Sequence, residues 1–105
     1  MIGEFEYLLL AATHRLAPDA YGASIAQEIE STTGRRCSLG ALYTTLDRLE
    51  SKGLVKTRMG DPTPERGGRA KRIVTLTASG RRAAGEFYSA ISTVTKGIAW
   101  ETSGR

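Results

Sequence analysis

The stretch Ser38-Leu39-Gly40-Ala41-Leu42-Tyr43-Thr44-Thr45-Leu46-Asp47-Arg48-Leu49-Glu50-Ser51-Lys52-Gly53, running on into Leu54-Val55-Lys56-Thr57-Arg58, decides the fold. Its leucines at 39, 42, 46 and 49 step by three and four, which is the spacing of one face of an α-helix. Ser38 stands where an N-cap hydroxyl accepts from a backbone N–H one turn in, and Gly53 stands where a helix stops. The same period sets Ala41, Thr44, Thr45 and Arg48 on the face opposite the leucines. Residues 54–58 then take on the alternating, β-branched character of a strand, and 72–76 repeat it. Between the two, residues 59–71 are rich in Gly, Pro and Arg and read as a long hairpin tip.

Upstream, Phe5, Leu8, Leu9, Ala12 and Leu16 predict an amphipathic helix over Glu4–Leu16. Pro18 ends it, because proline pushes its predecessor out of the α region. A second helix is expected over Gly22–Thr33, with Ile25, Ala26 and Ile29 inward and Gly34 as its stop. Downstream, Thr77 is another N-cap, opening a helix from about residue 78 toward 100. Its Ala84, Phe87, Ile91, Val94 and Ile98 alternate three- and four-residue steps, an a/d seam that calls for a second helix beside it. Tyr7 and Leu10, off the main stripe of the first helix, offer a further surface, so homodimerisation is expected through these seven residues.

Three short helices followed by a two-stranded hairpin make an α+β, mostly α fold, a winged helix-turn-helix with the third helix in the recognition position. Residues 1–77 are expected to form the DNA-binding part and 78–105 the dimerisation helix, within one structural domain. A chain of 105 residues holds one ordinary core and no two-domain enzyme. The formal charge of +4 suits a polyanion, and its placement matters more than its size. The tip carries Arg66, Arg69, Lys71 and Arg72 against Asp61 and Glu65, where a wing meets double-stranded DNA. Arg35 and Arg36 precede the recognition helix, where phosphates approach in this motif, and Ser38, Ala41, Thr44, Thr45 and Arg48 face outward for base edges and backbone. Tyr43 is open between a core residue and a phosphate-facing hydroxyl.

Other chemistry finds little support in the sequence. One His and one Cys in separate segments supply no convergent nucleophile and base, so enzyme activity, metal and cofactor are not expected. Cys37 reads as a small semi-buried residue, with a redox-sensing thiol as the sharper alternative. The absence of an apolar run long enough for a membrane, of a basic leader and of paired cysteines predicts a cytoplasmic protein.

Three segments resemble the PadR-like transcriptional regulators. Leu42-Tyr43 through Leu49 to Gly53-Leu54-Val55 is similar to that family's recognition helix and its exit into the wing. Gly67-Gly68-Arg69 is similar to its wing, and Leu76-Thr77-Ala78-Ser79-Gly80 to the start of its last helix. Thr44 stands where many members have Pro, and Ile73-Val74 where many have an aromatic pair. The resemblance is to the small subfamily with one C-terminal helix. It implies a dimeric repressor on a pseudo-palindromic operator, released by small aromatic or drug-like molecules in members whose effector is known. It also favours the phosphate-facing role for Tyr43, and it makes Tyr88, Ser92 and Trp100 candidate effector contacts. The alternatives are a winged-helix adaptor that binds protein and a constitutive repressor without ligand.

Overall fold

The computed structural model describes residues 1–62 and 70–102. Its helices are α1 (Glu4–Leu16), α2 (Gly22–Thr33), α3 (Leu39–Ser51) and α4 (Ala78–Val94), with strands β1 (Val55–Pro62) and β2 (Ala70–Leu76) between α3 and α4. Helix α3 begins, and α2 and α3 end, where the capping residues place them. Ser38 Oγ accepts from Ala41 N–H at 3.2 Å, and Gly34 and Gly53 take left-handed backbone with φ of 73° and 75°. The strands reach further into the tip than residues 54–58 and 72–76, pairing antiparallel from Val55↔Leu76 to Met59↔Arg72 and then, past a register shift, Pro62↔Ala70.

Leu9 and Leu10 of α1, Ile25 and Ile29 of α2, and Leu42, Leu46 and Leu49 of α3 close one core, roofed by Val55 and Val74 of the hairpin. The outer edge of β2 is covered as well. Val74 N–H donates to Ala20 O at 2.8 Å and Tyr21 bridges to Ile73, so the segment before α2 acts as a short third strand. That cover removes an edge that would otherwise recruit a foreign strand.

Helix α4 is tied to the end of α3 at its start. Thr77 Oγ1 accepts from Gly80 N–H at 3.0 Å and donates to Gly53 O at 2.7 Å. Gly80 lies so close to the Leu54 carbonyl that any side chain there would collide with backbone. The far end departs from expectation. The helix stops at Val94, the chain turns through Gly97 with φ of 83°, and Ile98 and Trp100 lie beyond the helix rather than on it. Ser92, Thr93 and Thr95 are weak helix formers, and Ser92 and Thr93 are exposed, so little packing offsets that among the described residues.

The two halves of the expected seam also part company. Tyr7 stacks on Phe87 with centroids 4.8 Å apart, and Ala84 and Phe87 pack on the core of their own chain. Leu10 is fully buried, which corrects its expected place in a dimer interface. It falls on the inner side of α1 because α2, the hairpin and α4 enclose that helix from more sides than its apolar stripe implies.

Candidate nucleic-acid interface

With 3.6 residues per turn, Leu42, Leu46 and Leu49 set the inward direction of α3, and Thr45 falls about 70° from it, at the margin of the apolar stripe where neighbouring elements still cover it. Thr45 is accordingly buried at 6% exposure, so the expectation that it meets DNA is corrected. Leu39 departs the other way. It lies only about 50° off that direction, on the apolar stripe, but it is the first residue of the helix and is 47% exposed. The outward face of α3 is therefore Leu39, Gly40, Ala41 and Thr44 in its first half, and Asp47 and Arg48 in its second.

Apart from Leu39, this first half carries only small side chains and no carboxylate. Thr44 Oγ1 donates to Gly40 O at 3.0 Å, leaving its oxygen lone pairs as the acceptor it can offer. Ser38 accepts its cap bond and keeps its own O–H to give. Tyr43 is half-buried, its ring and hydroxyl seated against Gly22 at the start of α2. Any side chain at 22 would push the tyrosine out, so a glycine there lets α2 and α3 close together. The phenol edge lies at the junction of the two helices, part core and part surface.

The flanks of α3 are braced on both sides. On one flank, the Arg72 guanidinium meets Asp47 at 3.0 Å and Glu50 at 2.8 Å, and Thr57 Oγ1 donates to Glu50 at 2.8 Å. Burial works to lower the Arg72 pKa, but its bonds to the two carboxylates outweigh burial and raise it. Arg72, expected among the free cations of the wing, thus holds the wing to α3 and offsets half the charge of the two acids nearest the outward face. On the other flank, Glu6 of α1 accepts from Gly3 N–H at 2.9 Å and from Lys52 Nζ at 2.9 Å. The Gly3 bond, against burial and with help from Lys52 and the field of Arg48, holds this carboxyl below its ordinary range.

The remaining cations vary in freedom. Arg35 is engaged, its guanidinium 2.7 Å from Glu4 and over the Phe5 ring at 5.5 Å. Lys71 lies over the Tyr21 ring at 4.5 Å. Arg36 and Arg48 are exposed and, among the described residues, make no ion pair within 4 Å. Arg66 and Arg69 lie outside the described residues. Lys56 and Arg58 on β1 were not singled out from sequence, yet both are exposed and likewise unpaired. Their alternation with Val55 and Thr57 was the available signal.

Cys37 is buried, its N–H donating to Glu30 Oε2 at 2.8 Å, and burial together with the Glu30 charge pushes its thiol pKa up. That is the environment of an inert cysteine. Of the expected effector contacts, Tyr88 is 62% exposed and Trp100 69%, with Ser92 exposed as well. Among the described residues no cluster of His, Cys, Asp and Glu is arranged to hold a metal, and no helix is long and apolar enough to cross a membrane.

Comparison with known proteins gives this geometry a family. The model of the transcriptional regulator PadR-like family matches residues 9–86. The transcriptional regulator Rv3488 of Mycobacterium tuberculosis is 36% identical over 87 residues, covering 81% of this chain and 75% of its own. Among solved structures, a PadR-like transcription factor from Bacteroides fragilis superposes with a TM-score of 0.74 at 22% identity, covering 90% of this chain and 85% of its own. A complex structure of hsRosR-S4 gives 0.71 at 26% identity, covering 93% and 77%. The α+β winged-helix fold is shared with these structures, and the family is one of transcriptional regulators, not enzymes.

Proposed function

Because this chain belongs to the PadR-like family of transcriptional regulators, we propose that it is a cytoplasmic homodimeric repressor that binds a pseudo-palindromic DNA operator and is released by a small aromatic or drug-like molecule. Residues 1–77 bind the DNA, and the helix within 78–105 joins the two copies. The observation that carries this reading is the first half of α3. Gly40, Ala41 and Thr44 let the helix approach base edges closely, while Leu39 and Ala41 offer apolar contact to thymine methyls. Arg72 offsets one of the two negative charges of Asp47 and Glu50, which would otherwise repel phosphate more strongly.

Phosphate contacts fall to Arg36, Arg48, Lys56, Arg58, Arg66, Arg69 and Lys71, and to the hydroxyls of Ser38 and Tyr43. Arg35 joins them by exchanging Glu4 for phosphate. Dimerisation is supported by what α4 leaves uncovered: Ile91 at 47%, Val94 at 71% and, beyond the helix, Ile98 at 49%. A small monomer does not ordinarily keep such a stripe in water.

Selection from random duplexes at moderate salt tests the reading. A two-fold symmetric motif is expected, with half-sites centred about 10 bp apart or at a multiple of that spacing. If no motif is enriched, DNA repression is overturned in favour of a protein-binding adaptor.

A further inference from the structure

The pairing register sorts the side chains of the hairpin onto two faces, because cross-strand partners share a face and neighbours along a strand alternate. Val55 with Leu76, Thr57 with Val74, and Met59 with Arg72 make one face. It is the face turned to the body of the protein, since Val55 and Val74 enter the core and Thr57 and Arg72 bond to Glu50 of α3. The opposite face carries Lys56 beside Thr75, Arg58 beside Ile73, and Lys71 two residues before Ile73. Tyr21, bridged to Ile73, joins this second face, and its ring lies 4.5 Å from the Lys71 ammonium.

Charge is handled differently on the two faces. Arg72, on the inner one, is committed to Asp47 and Glu50. On the outer one Lys56 and Arg58 are exposed and make no ion pair within 4 Å among the described residues, and residues 55–60 and 70–76 contain no carboxylate. The Tyr21 ring steadies Lys71 without cancelling its charge. With about 6.7 Å for every second residue, the rows of Lys56, Arg58 and Lys71 span about 13 Å along the strands, the length of about four base pairs at 3.4 Å each.

We infer that this outer face binds the phosphate backbone of the DNA flanking each half-site, beyond the base pairs that α3 reads. The inference rests on the operator reading proposed above and extends it. Because Thr57 and Arg72 tie the inner face to α3, a straight duplex lying on α3 meets the tip and edge of the hairpin but not its outer face. The flank reaches Lys56 and Arg58 by curving round the hairpin toward the protein. Neutralising phosphates on one side of a duplex favours that curvature, since repulsion among those left on the other side is no longer balanced. The one large aliphatic residue of the face, Ile73, is buried, so evenly spaced cations are what it offers. That suits a phosphate backbone better than the mixed surface of an acidic protein.

Titration of the full chain on two duplexes tests this, one ending at the outer edges of the selected motif and one extended at each end by about 10 bp, a helical turn, of unrelated sequence. The parent is expected to bind the extended duplex about tenfold more tightly and with a steeper salt dependence. Lys56→Gln combined with Arg58→Gln should fold, both side chains being exposed and unpaired among the described residues. It should lose most of that advantage, and its salt slope on the extended duplex should fall by about one for each cation removed from a bound chain. Circularly permuted fragments should show a bend at the motif with the parent and a smaller one with the double variant. No advantage for the extended duplex, an advantage that the double variant keeps, or a straight complex overturns the flank surface. The motif itself is read separately from the selection, so each of those results leaves the operator reading standing, whereas the absence of any motif overturns that reading and this surface with it.

Discussion

The unit formed by α1–α3 and the hairpin and the second half of α4 are built to different degrees of completion. In the first, apolar side chains are enclosed and both flanks of α3 are fixed by charge, through Arg72 to Asp47 and Glu50 on one side and Lys52 to Glu6 on the other. In the second, Ile91 and Val94 stand in water and the helix ends in weak formers. A recognition helix must hold its angle before DNA arrives, so its supports belong to its own chain. In the proposed dimer the seam can be left to the partner, because association supplies the missing burial.

Two substitutions separate these halves most sharply. Leu46→Ala, at a fully buried site, should cost about 2–5 kcal/mol, measured by urea unfolding and independent of protein concentration. Ile91→Asp should leave the monomer's fold intact in circular dichroism while yielding monomers in sedimentation, its cost growing with concentration because it removes only the association term. A dimer of unchanged mass would move the interface elsewhere and break the comparison.

The charged flank facing α1 has a pH signature. Glu6 is depressed in the folded state, so the stability it adds is present above its unfolded value and is lost as pH falls through the folded one. Glu6→Gln keeps an acceptor for Gly3 N–H but loses the charge. It should destabilise by about 1 kcal/mol at neutral pH, and the difference from the parent should vanish as pH is lowered below the ordinary carboxylate range. A gap that persists in acid would mean that shape, not charge, matters at this position.

Arg72→Met tests the other flank. The arginine is partly exposed, so the loss of stability should be small. Freed of its brace, the wing should lose orientation and leave Asp47 and Glu50 without a counter-charge, and operator affinity should fall by about tenfold, equivalent to about 1.4 kcal/mol. A loss in proportion to one phosphate contact, with the salt slope reduced by about one, would instead make Arg72 an ordinary DNA-facing cation.

Much of this was legible before any coordinates, and the failures share a cause. Caps and breakers act on their own neighbours, so Ser38, Gly34, Gly53 and Thr77 marked helix ends correctly. Which side of a helix is covered depends on how many neighbours it has. That is why Leu10 and Thr45, off the obvious stripes, turned out buried, and why Leu39, on one, turned out exposed. The bracing pairs join residues far apart in sequence, Glu6 with Lys52 and Arg72 with Asp47, and no local pattern announces them. A basic residue in a wing therefore reads as a DNA contact until a carboxylate is found beside it.

The finest test lies within the braced half, at two adjacent threonines on opposite faces of one helix. Thr44 is exposed with its hydroxyl turned back to Gly40, and Thr45 is enclosed beside Leu42 and Leu46. Thr44→Val removes an acceptor and keeps the volume, so it should change which bases are preferred at one position of each half-site, with stability altered by no more than about 0.5 kcal/mol. Thr45→Val places an apolar group where water is already excluded and should leave base preference unchanged. Repeating the random-duplex selection with both variants reads the difference directly. If Thr45→Val also shifts the motif, the core face of α3 sets its docking angle on DNA, and the division between an outer face that reads and an inner face that supports fails.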